Sequence, residues 1–320
     1  MSAPQSQITI DLLDGSKAVA FAWGNGSGNA KKTALDSGKA ALAAGIRHID
    51  TAQGYENEIA TGETLTAAGI DKKDVFITSK ISGVKFESMP ASEVRQNIEN
   101  SIKDLGFSPD LYLIHNPFVI EPYSDLPAAW KVLEDLKDEG KLKSIGVSNF
   151  RPQDLELILK DAKHKPVVNQ VEFHPYVLAH LQPVLDIHKK HGIVTAAYGP
   201  LTPLLGHRHP TGGPIKPVLA RIAQRINSEE AGKGLPSGFE VDEIAVLLLW
   251  TRDSGVITIS ASGNRDNIKR LGQIAGLPKG LLKSEEMAEI EKVGKGVHFR
   301  RYTEHMEQDF PVPNLPDGTQ

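Results

Sequence analysis

Four side chains suited to acid–base chemistry come at or just after the ends of three successive apolar segments. Asp50 and Tyr55 follow the first segment, Lys80 the second and His115 the third. Taken singly, each has an ordinary explanation: Asp50 as a cap, Tyr55 as a loop aromatic, Lys80 as a solvated strand end and His115 as a hydrogen-bonded core histidine. If the segments are neighbouring parallel strands of a barrel, the four groups meet at the face where barrel active sites lie.

These groups predict a general-acid site for the reduction of a carbonyl. A phenol has a pKa near about 10 and donates its proton poorly unless a cation lowers that pKa, a role we expect of Lys80. Burial removes the charge of a lysine unless a carboxylate holds it, which gives Asp50 its role. His115 is expected to orient the carbonyl. Because no side chain carries a hydride, a cofactor must supply it.

The elements that position these groups repeat one pattern: a short apolar run, a polar loop and an amphipathic segment closed by glycine. The alternation predicts a parallel sheet, and eight units predict an α/β fold of the (β/α)8 barrel type, formed as one domain by residues 1–320. The predicted strands are residues 19–22, 48–51, 75–79, 111–114, 144–147, 168–171, 194–197 and 256–260. The glycines expected to end helices in a left-handed conformation are Gly45, Gly69, Gly106, Gly140 and Gly192.

Several segments fall outside this repeat. Residues 8–13 and 16–18, joined by Asp14 and Gly15, predict an N-terminal hairpin with a type I′ turn that closes the bottom of the barrel. Three long irregular stretches are residues 202–216, residues 227–240 with Gly232, Gly234 and Gly238, and the tail from Val297. Long loops in compact domains are usually functional or disordered. We expect the first and third stretches to form walls of the substrate site.

Composition narrows the choice of function. The 320 residues are 40% hydrophobic and 24% charged, with a net charge of −4, so no nucleic-acid partner is expected. The absence of cysteine excludes thiolate catalysis and disulfides. Residues 1–11 lack the pattern of a secretory signal, and no apolar run reaches about 18 residues, which predicts a cytoplasmic protein without a membrane partner. The histidine pairs at 188 and 191 and at 207 and 209 lack an acid at ligand spacing, so no metal is expected.

The residues around the four groups resemble the signatures of the aldo-keto reductase superfamily, in the order of that family and over most of the chain. They are GIRHIDTA at 45–52 with YENE at 55–58, LIHNP at 113–117, GVSNF at 146–150 and NQVEFHP at 169–175. The resemblance implies that Tyr55 donates the proton and that Lys80 and Asp50 adjust the pKa of its phenol. It also implies that His115 orients the carbonyl of a small-molecule substrate.

The resemblance also implies a cofactor, NADPH, and the residues that hold it. Ser148, Asn149 and Gln170 correspond to the set that binds the nicotinamide carboxamide, and Tyr198 to the aromatic that stacks on the ring. Without the resemblance, Ser148 and Asn149 read equally well as a helix cap before Pro152. The other implied cofactor residues are Gly26, Ser27, Pro200, Leu201, Ser260, Ser262, Arg265 and Lys269.

The sequence departs from the family at the adenosine end. Ile259 stands where relatives carry a phosphate-binding lysine, while Ser260 and Arg265 are retained. We therefore expect Arg265 to hold the 2′-phosphate, with Lys269 partly replacing the lost cation. Backbone N–H groups near Leu201 and the helix start at Asn264 are expected to assist.

The segment AYGPL at 197–201 and the extra stretch before Val241 are similar to a fungal branch that reduces conjugated polyketones and α-keto amides. That similarity implies a compact dicarbonyl substrate, such as a ketolactone, in a pocket lined by Trp23, Phe118, Tyr176 and the tail at 297–302. Two other classes stay open. One is a Schiff-base aldolase with Lys80 as nucleophile, and the other is a nucleotide-binding regulatory barrel with little turnover.

Overall fold

The computed structural model describes residues 7–83, 86–228 and 235–319, so the predictions for residues 1–6, Gly232 and Gly234 lie outside the described residues. Eight parallel strands close into a barrel in which each strand pairs with the next along the chain and the last pairs with the first. The (β/α)8 barrel is therefore confirmed. Its strands are β3 (Phe21–Gly24), β4 (His48–Asp50), β5 (Phe76–Ile81), β6 (Leu111–Ile114), β7 (Ser144–Ser148), β8 (Val168–Glu172), β9 (Val194–Tyr198) and β10 (Ile257–Ser260).

Helices surround this barrel and cover its outer face. Strands that are buried on both faces often read as nearly continuous apolar runs, as β6 does with the residues LYLI. The helices are α1 (Gly28–Lys32), α2 (Ala34–Ala43), α3 (Glu58–Ala68), α4 (Ala91–Leu105), α5 (Leu126–Asp138), α6 (Pro152–Leu159), α7 (Leu178–His191), α8 (Ile215–Ser228), α9 (Glu243–Asp253), α10 (Arg265–Ala275) and α11 (Ser284–Gly294). No helix in the described ranges is long and apolar enough to span a membrane.

Glycines end the helical segments as predicted. Gly45, Gly69, Gly106, Gly140 and Gly192 all have positive φ angles, between 64° and 91°. A side chain with a Cβ rarely adopts this conformation, so glycine ends the helix and turns the chain into the next strand.

An antiparallel hairpin precedes the barrel, formed by β1 (Thr9–Asp11) and β2 (Lys17–Val19). Leu12 and Ala18 pack with Leu111, Val168 and other residues near the starts of the barrel strands, so the hairpin covers the bottom of the barrel. The predicted type I′ turn is wrong. Of the two central residues only Gly15 has a positive φ, and the Gly15 N–H donates to the Leu12 carbonyl, which makes a turn over residues 12–15 with glycine last.

The first barrel strand lies two residues later than predicted. Val19 belongs to the hairpin, where it pairs with Thr9, and Phe21 begins the strand that pairs with Thr258. The sequence offers one continuous run of small apolar residues here, and only the pairing partners decide where the hairpin ends. The shift carries the strand to Gly24, so the Gly24–Gly28 loop begins at the upper rim of the barrel.

Polar side chains collect at the carboxyl ends of the strands. Strand β4 ends on Asp50, β7 on Ser148, β9 on Tyr198 and β10 on Ser260, while His115 directly follows β6. Because all eight strands are parallel, these ends lie at one face of the barrel. The fold therefore brings these groups to one place.

Candidate active site

A cavity of about 570 Å³ opens at this face of the barrel. One end holds the chemistry-bearing groups, with Asp50, Tyr55 and His115 in its wall. The other end, which we call the α9–α10 end, is built from Ile244, Asn267, Arg270, Leu271 and Ile274. The wall also includes ten of the predicted cofactor residues: Gly26, Ser27, Ser148, Asn149, Gln170, Tyr198, Pro200, Leu201, Ser260 and Ser262.

A buried ion pair underlies the catalytic end. The Lys80 ammonium donates to Asp50 Oδ1 at 2.6 Å and to the Thr51 carbonyl at 2.9 Å, and the lysine side chain has no exposed surface. The Gln170 amide donates to the other oxygen, Asp50 Oδ2, at 2.8 Å. Both carboxylate oxygens are therefore engaged, and the Asp50 carboxylate is fixed in the cavity wall. Lys80 itself is not part of the cavity wall.

The pKa of Tyr55 moves in the direction opposite to the one expected. Burial raises the pKa of the phenol well above its usual value, and the nearby Asp50 carboxylate raises it further. Lys80 lies 5.3 Å from the centre of the Tyr55 ring, but its charge is directed at Asp50. Burial lowers the pKa of Lys80, and Asp50 opposes that change. Burial therefore outweighs the lowering of the Tyr55 pKa expected from Lys80, and the phenol holds its proton at neutral pH.

His115 stands beside Tyr55 as a neutral ring. The two ring centres are 5.5 Å apart with the planes at 77°, an edge-to-face contact. Burial, followed by the charge of Lys80, lowers the pKa of His115 well below its usual value. The cavity thus presents a protonated phenol and a neutral imidazole next to each other, both able to hydrogen-bond one carbonyl oxygen.

Gly26 allows the loop after β3 to approach Tyr55. A Cβ atom at this position would lie 2.4 Å from Tyr55 Cζ and 2.8 Å from its hydroxyl oxygen, far inside van der Waals contact. Only glycine leaves the phenol in its place against the loop. The adjoining Ser27 continues the cavity wall.

Ser148 and Asn149 do not cap a helix. The Ser148 hydroxyl donates to the Gln170 carbonyl at 2.8 Å, and the Asn149 amide donates to the His115 carbonyl at 3.0 Å. Tyr198 donates to Asn149 Oδ1 at 2.7 Å. Helix α6 instead begins after Arg151, whose backbone N–H donates to Asp154. The predicted carboxamide set is therefore one connected network that ties β7, β8 and β9 to the backbone of His115.

The α9–α10 end differs from the prediction. Arg265 and Lys269 are exposed side chains of α10 outside the cavity wall, which has Asn267 and Arg270 instead. The backbone N–H groups of Asp266 and Asn267 are bonded to the side chain of Asn264, so the helix start is already capped. Two of the N–H groups expected to assist a phosphate are therefore already bonded to Asn264.

The three predicted substrate residues also lie outside the cavity wall. Trp23 is buried and its indole N–H donates to the Ser262 carbonyl. Tyr176 is fully buried, donates to the Gly212 carbonyl and accepts from the Ile215 N–H. Phe118 packs against Arg151, Tyr123 and His305. The loop at 202–216 thus contacts Tyr176, and the tail contacts Phe118 through His305.

Other residues form the wall at the catalytic end. The tail contributes Tyr302, Glu304 and His305, and the loop after β9 contributes Leu205 and Arg208, so these two stretches do form walls as predicted. The sequence reading missed Phe86, whose ring lies 5.3 Å from that of His115. Its position in the loop after β5 was the available signal, since barrel sites are built by loops that follow strands.

Comparison with known proteins agrees with this geometry. Residues 18–295 match the sequence model of the aldo/keto reductase family. The chain belongs to the aldo/keto reductase family. It is similar to the NAD/NADP-dependent indole-3-acetaldehyde reductase of Schizosaccharomyces pombe, with 33% identity over 283 residues, which is 88% of this chain and 91% of the relative.

Two further relatives extend the comparison to an animal protein and a solved structure. Aldo-keto reductase family 1 member C1 of Homo sapiens is 33% identical over 293 residues, 84% of this chain and 85% of the relative. The crystal structure of an aldo/keto reductase from Brucella melitensis superposes with a TM-score of 0.74 at 31% identity, over 90% of this chain and all of that one. As a member of this family, the protein is an oxidoreductase that uses a nicotinamide cofactor, NAD(P)H.

The wall residues agree with such a cofactor. Cofactor pockets are lined mostly by apolar side chains with a few convergent polar groups, and this wall combines Leu201, Leu271 and other apolar residues with such amide and hydroxyl groups. The amide and hydroxyl groups of the β7–β9 network are suited to a carboxamide. Across the described ranges, no three His, Asp or Glu side chains cluster in a way that could bind a metal.

Proposed function

We propose that this protein is an NADPH-dependent carbonyl reductase in which Tyr55 donates the proton to the carbonyl oxygen. The supporting observation is the edge-to-face pair of Tyr55 and His115 in the cavity wall, with a phenol that keeps its proton and a neutral imidazole. Bound NADPH supplies the hydride to the carbonyl carbon. His115 donates a hydrogen bond that orients the carbonyl oxygen towards the Tyr55 hydroxyl.

Lys80, Asp50 and Gln170 support Tyr55 in this role. When the phenol gives up its proton, negative charge develops on its oxygen, and the Lys80 ammonium is the nearby cation able to stabilise that charge. Asp50 and Gln170 keep Lys80 in position through the ion pair and the amide hydrogen bond. Lys80 thus stabilises the phenolate that forms during the reaction, whereas burial sets the pKa of the phenol before the reaction.

The shape of the catalytic end favours a compact substrate. Phe86 lies 6.2 Å from the Tyr55 ring and 5.3 Å from the His115 ring, centre to centre, and narrows the approach to both. Tyr302 and His305 bound the same space from the tail. We propose a small dicarbonyl, such as a ketolactone or an α-keto amide, because its electron-poor ketone accepts hydride readily and its second carbonyl adds little bulk.

The position of Lys80 argues against an aldolase. A Schiff base requires the lysine nitrogen to reach the substrate carbonyl, but Lys80 is fully buried outside the cavity wall and bonded to Asp50 and Thr51. The aldolase is therefore disfavoured. The nucleotide-binding regulatory barrel is distinguished from a reductase by measuring whether the protein turns over a carbonyl substrate.

The test is oxidation of NADPH and NADH, followed by absorbance, with a panel of aldehydes and cyclic α-diketones. Tyr55→Phe is expected to lower kcat about a hundredfold or more while NADPH binding, measured by calorimetry, is unchanged. Tyr123→Phe, which removes a hydroxyl bonded to Asp154 outside the cavity wall, is the matched control and should retain activity. Wild-type protein that binds NADPH but turns over no carbonyl of the panel would overturn the proposal in favour of the regulatory barrel.

A further inference from the structure

Glu172, the last residue of β8, is a buried carboxylate that holds the tail against the barrel. Its side chain has no exposed surface. Oε1 accepts the Arg301 N–H at 3.0 Å, and Oε2 accepts the N–H groups of Arg301 at 3.1 Å and of Tyr302 at 3.0 Å. A carboxylate accepts through both of its oxygens, so one side chain fixes two successive peptide groups of the tail.

A buried cation balances the charge of Glu172. Arg300 Nη1 lies 3.7 Å from Oε2, and the guanidinium is fully buried without a hydrogen-bond acceptor among the described residues. His174 Nε2 lies 3.2 Å from Oε1, close enough for its N–H to donate. Burial opposes ionisation, but the hydrogen bond from His174 and the charge of Arg300 lower the pKa of Glu172. Glu172 is therefore a carboxylate at neutral pH and the ion-pair partner of Arg300.

The same carboxylate also reaches the loop after β9. The Thr202 hydroxyl donates to Glu172 Oε1 at 3.4 Å and accepts from Arg208 Nη1 at 3.2 Å. Gly199 permits this close approach, since it has a φ of 62° and a Cβ there would lie 3.2 Å from the Thr202 hydroxyl oxygen. The Arg208 guanidinium lies 5.7 Å from the centre of the Tyr302 ring, within range of a cation–π contact. Because the Tyr302 N–H is itself bonded to Glu172, the contacts form a closed cycle that joins the tail to the loop.

Tyr302 is the residue that this cycle places at the catalytic end of the cavity. Its ring belongs to the cavity wall and lies 5.3 Å from the Tyr198 ring, centre to centre, with the planes at 79°. Burial, then Asp50 and then the Tyr302 phenol raise the pKa of Tyr55, so the two phenols lie in the same part of the cavity. A carbonyl bound at Tyr55 therefore lies beside the wall that the tail forms.

We infer that Glu172 is a positioning residue for carbonyl binding, because it holds Tyr302 in the cavity wall and joins the two stretches that form that wall. The inference rests on the proposed function for its substrate. Glu172 is not part of the cavity wall, so it acts on the substrate through Tyr302 and Arg208 and takes no part in proton transfer. Loss of its contacts with the tail therefore weakens substrate binding and leaves the chemical step intact.

Glu172→Asp separates this role from that of a counter-charge alone. The shorter acid keeps a negative charge near Arg300 but withdraws its oxygens from the tail N–H groups by about 1.5 Å, the length of one C–C bond. We expect the KM for a cyclic α-diketone to rise about tenfold while kcat changes less than about threefold. Amide hydrogen exchange of residues 299–305, followed by mass spectrometry, should accelerate about tenfold or more. Wild-type exchange of this segment would overturn the inference, as would faster exchange with an unchanged KM.

Two further variants make the comparison decisive. Glu286→Asp is the matched control, because Glu286 is a second buried glutamate paired with an arginine, Arg225, and lies outside the cavity wall. It should lose stability in urea unfolding but keep the wild-type KM. Thr202→Val leaves the ion pair of Glu172 intact and removes only the link to the loop, so its KM should rise about threefold. An unchanged KM in Thr202→Val would overturn the coupling of the two stretches, and equal rises in KM for both Asp variants would overturn the positioning role.

Failure of this inference is distinguishable from failure of the proposed function, because hydrogen exchange is measured without substrate. A wild-type protein that turns over no carbonyl refutes the reductase, while faster exchange of the tail in Glu172→Asp still shows that Glu172 positions Tyr302. A protein that reduces carbonyls with the same KM before and after Glu172→Asp refutes the inference and leaves the reductase standing.

Discussion

Glu58 should make the stability of this protein fall as the pH rises through neutrality. This glutamate begins α3 behind the barrel wall, is 4% exposed, and accepts hydroxyl hydrogen bonds from Ser79 and Ser101 at one oxygen, Oε1. Burial raises its pKa to about 7, although the two hydroxyls and the charge of Lys80 oppose that change. The native carboxyl therefore keeps its proton well above the pH at which a carboxyl of the unfolded chain loses it.

The size and sign of the effect follow from this shift. A group whose pKa is raised on folding stabilises the native state fully below its unfolded pKa of about 4.3, and that contribution is lost as the pH rises through about 7. The shift of about 2.5 pH units corresponds to about 3 kcal/mol. Glu58→Gln keeps the acceptor oxygen and removes the titration. The variant should thus be less sensitive to pH than the wild type between pH 4.5 and pH 8.

The measurement is urea unfolding of both proteins at about pH 5 and pH 8. The free energy of unfolding of the wild type should fall by about 3 kcal/mol more than that of Glu58→Gln over this interval. Taking the difference between the proteins removes the titration of other groups. Glu63→Gln, an exposed substitution on the same helix, is the matched control and should follow the wild type. If Glu58→Gln and the wild type respond alike to pH, the reasoning about burial is refuted.

Two further substitutions separate the catalytic wall from the residues that support it. Gly26→Ala places a Cβ about 2.4 Å from Tyr55 Cζ, so the phenol must move, and we expect kcat to fall at least about tenfold with an unchanged circular dichroism spectrum. Unaltered kcat in Gly26→Ala would show that the ring position is not critical. Tyr176→Phe removes the hydrogen bonds to Gly212 and Ile215 outside the cavity wall, and should cost about 1–3 kcal/mol in urea unfolding. A changed KM for the carbonyl would contradict that placement of Tyr176.

The barrel was predictable because its signals are local. A buried parallel strand needs only a short apolar run, and each helix needs one apolar stripe and a residue that can end it. In α4, Val94 and Ile98 belong to the stripe and Gly106 ends the helix, so all the signals lie within one short segment. The convergence of Asp50, Tyr55 and His115 then follows from the parallel order, since groups at the same end of parallel strands share one face. The detailed contact of Lys80 with Asp50 follows from the neighbouring positions of β4 and β5.

The pocket walls were less predictable because they depend on contacts between distant segments. Tyr176 was expected in the pocket, but the Gly212 carbonyl, 36 residues away, accepts its hydroxyl hydrogen. The tail at residues 301 and 302 is anchored through backbone N–H groups on Glu172, some 130 residues earlier, and this anchor brings Tyr302 to the cavity. Nothing in the local sequence of either segment encodes these partners. The pKa of Tyr55 was misjudged for a related reason, because burial is a property of the whole packed site.

The α9–α10 end shows why positional correspondence to a family is not enough to place a side chain in the cavity wall. The correspondence selects Arg265 and Lys269, but a helix presents one face to a cavity, and packing decides which face it is. In α10 the inward face at the cavity consists of residues 267, 270, 271 and 274, so Arg270 enters the wall and the two predicted cations turn to solvent. The segment leading into α9 adds Phe239 and Asp242, which fix Arg270 in that position.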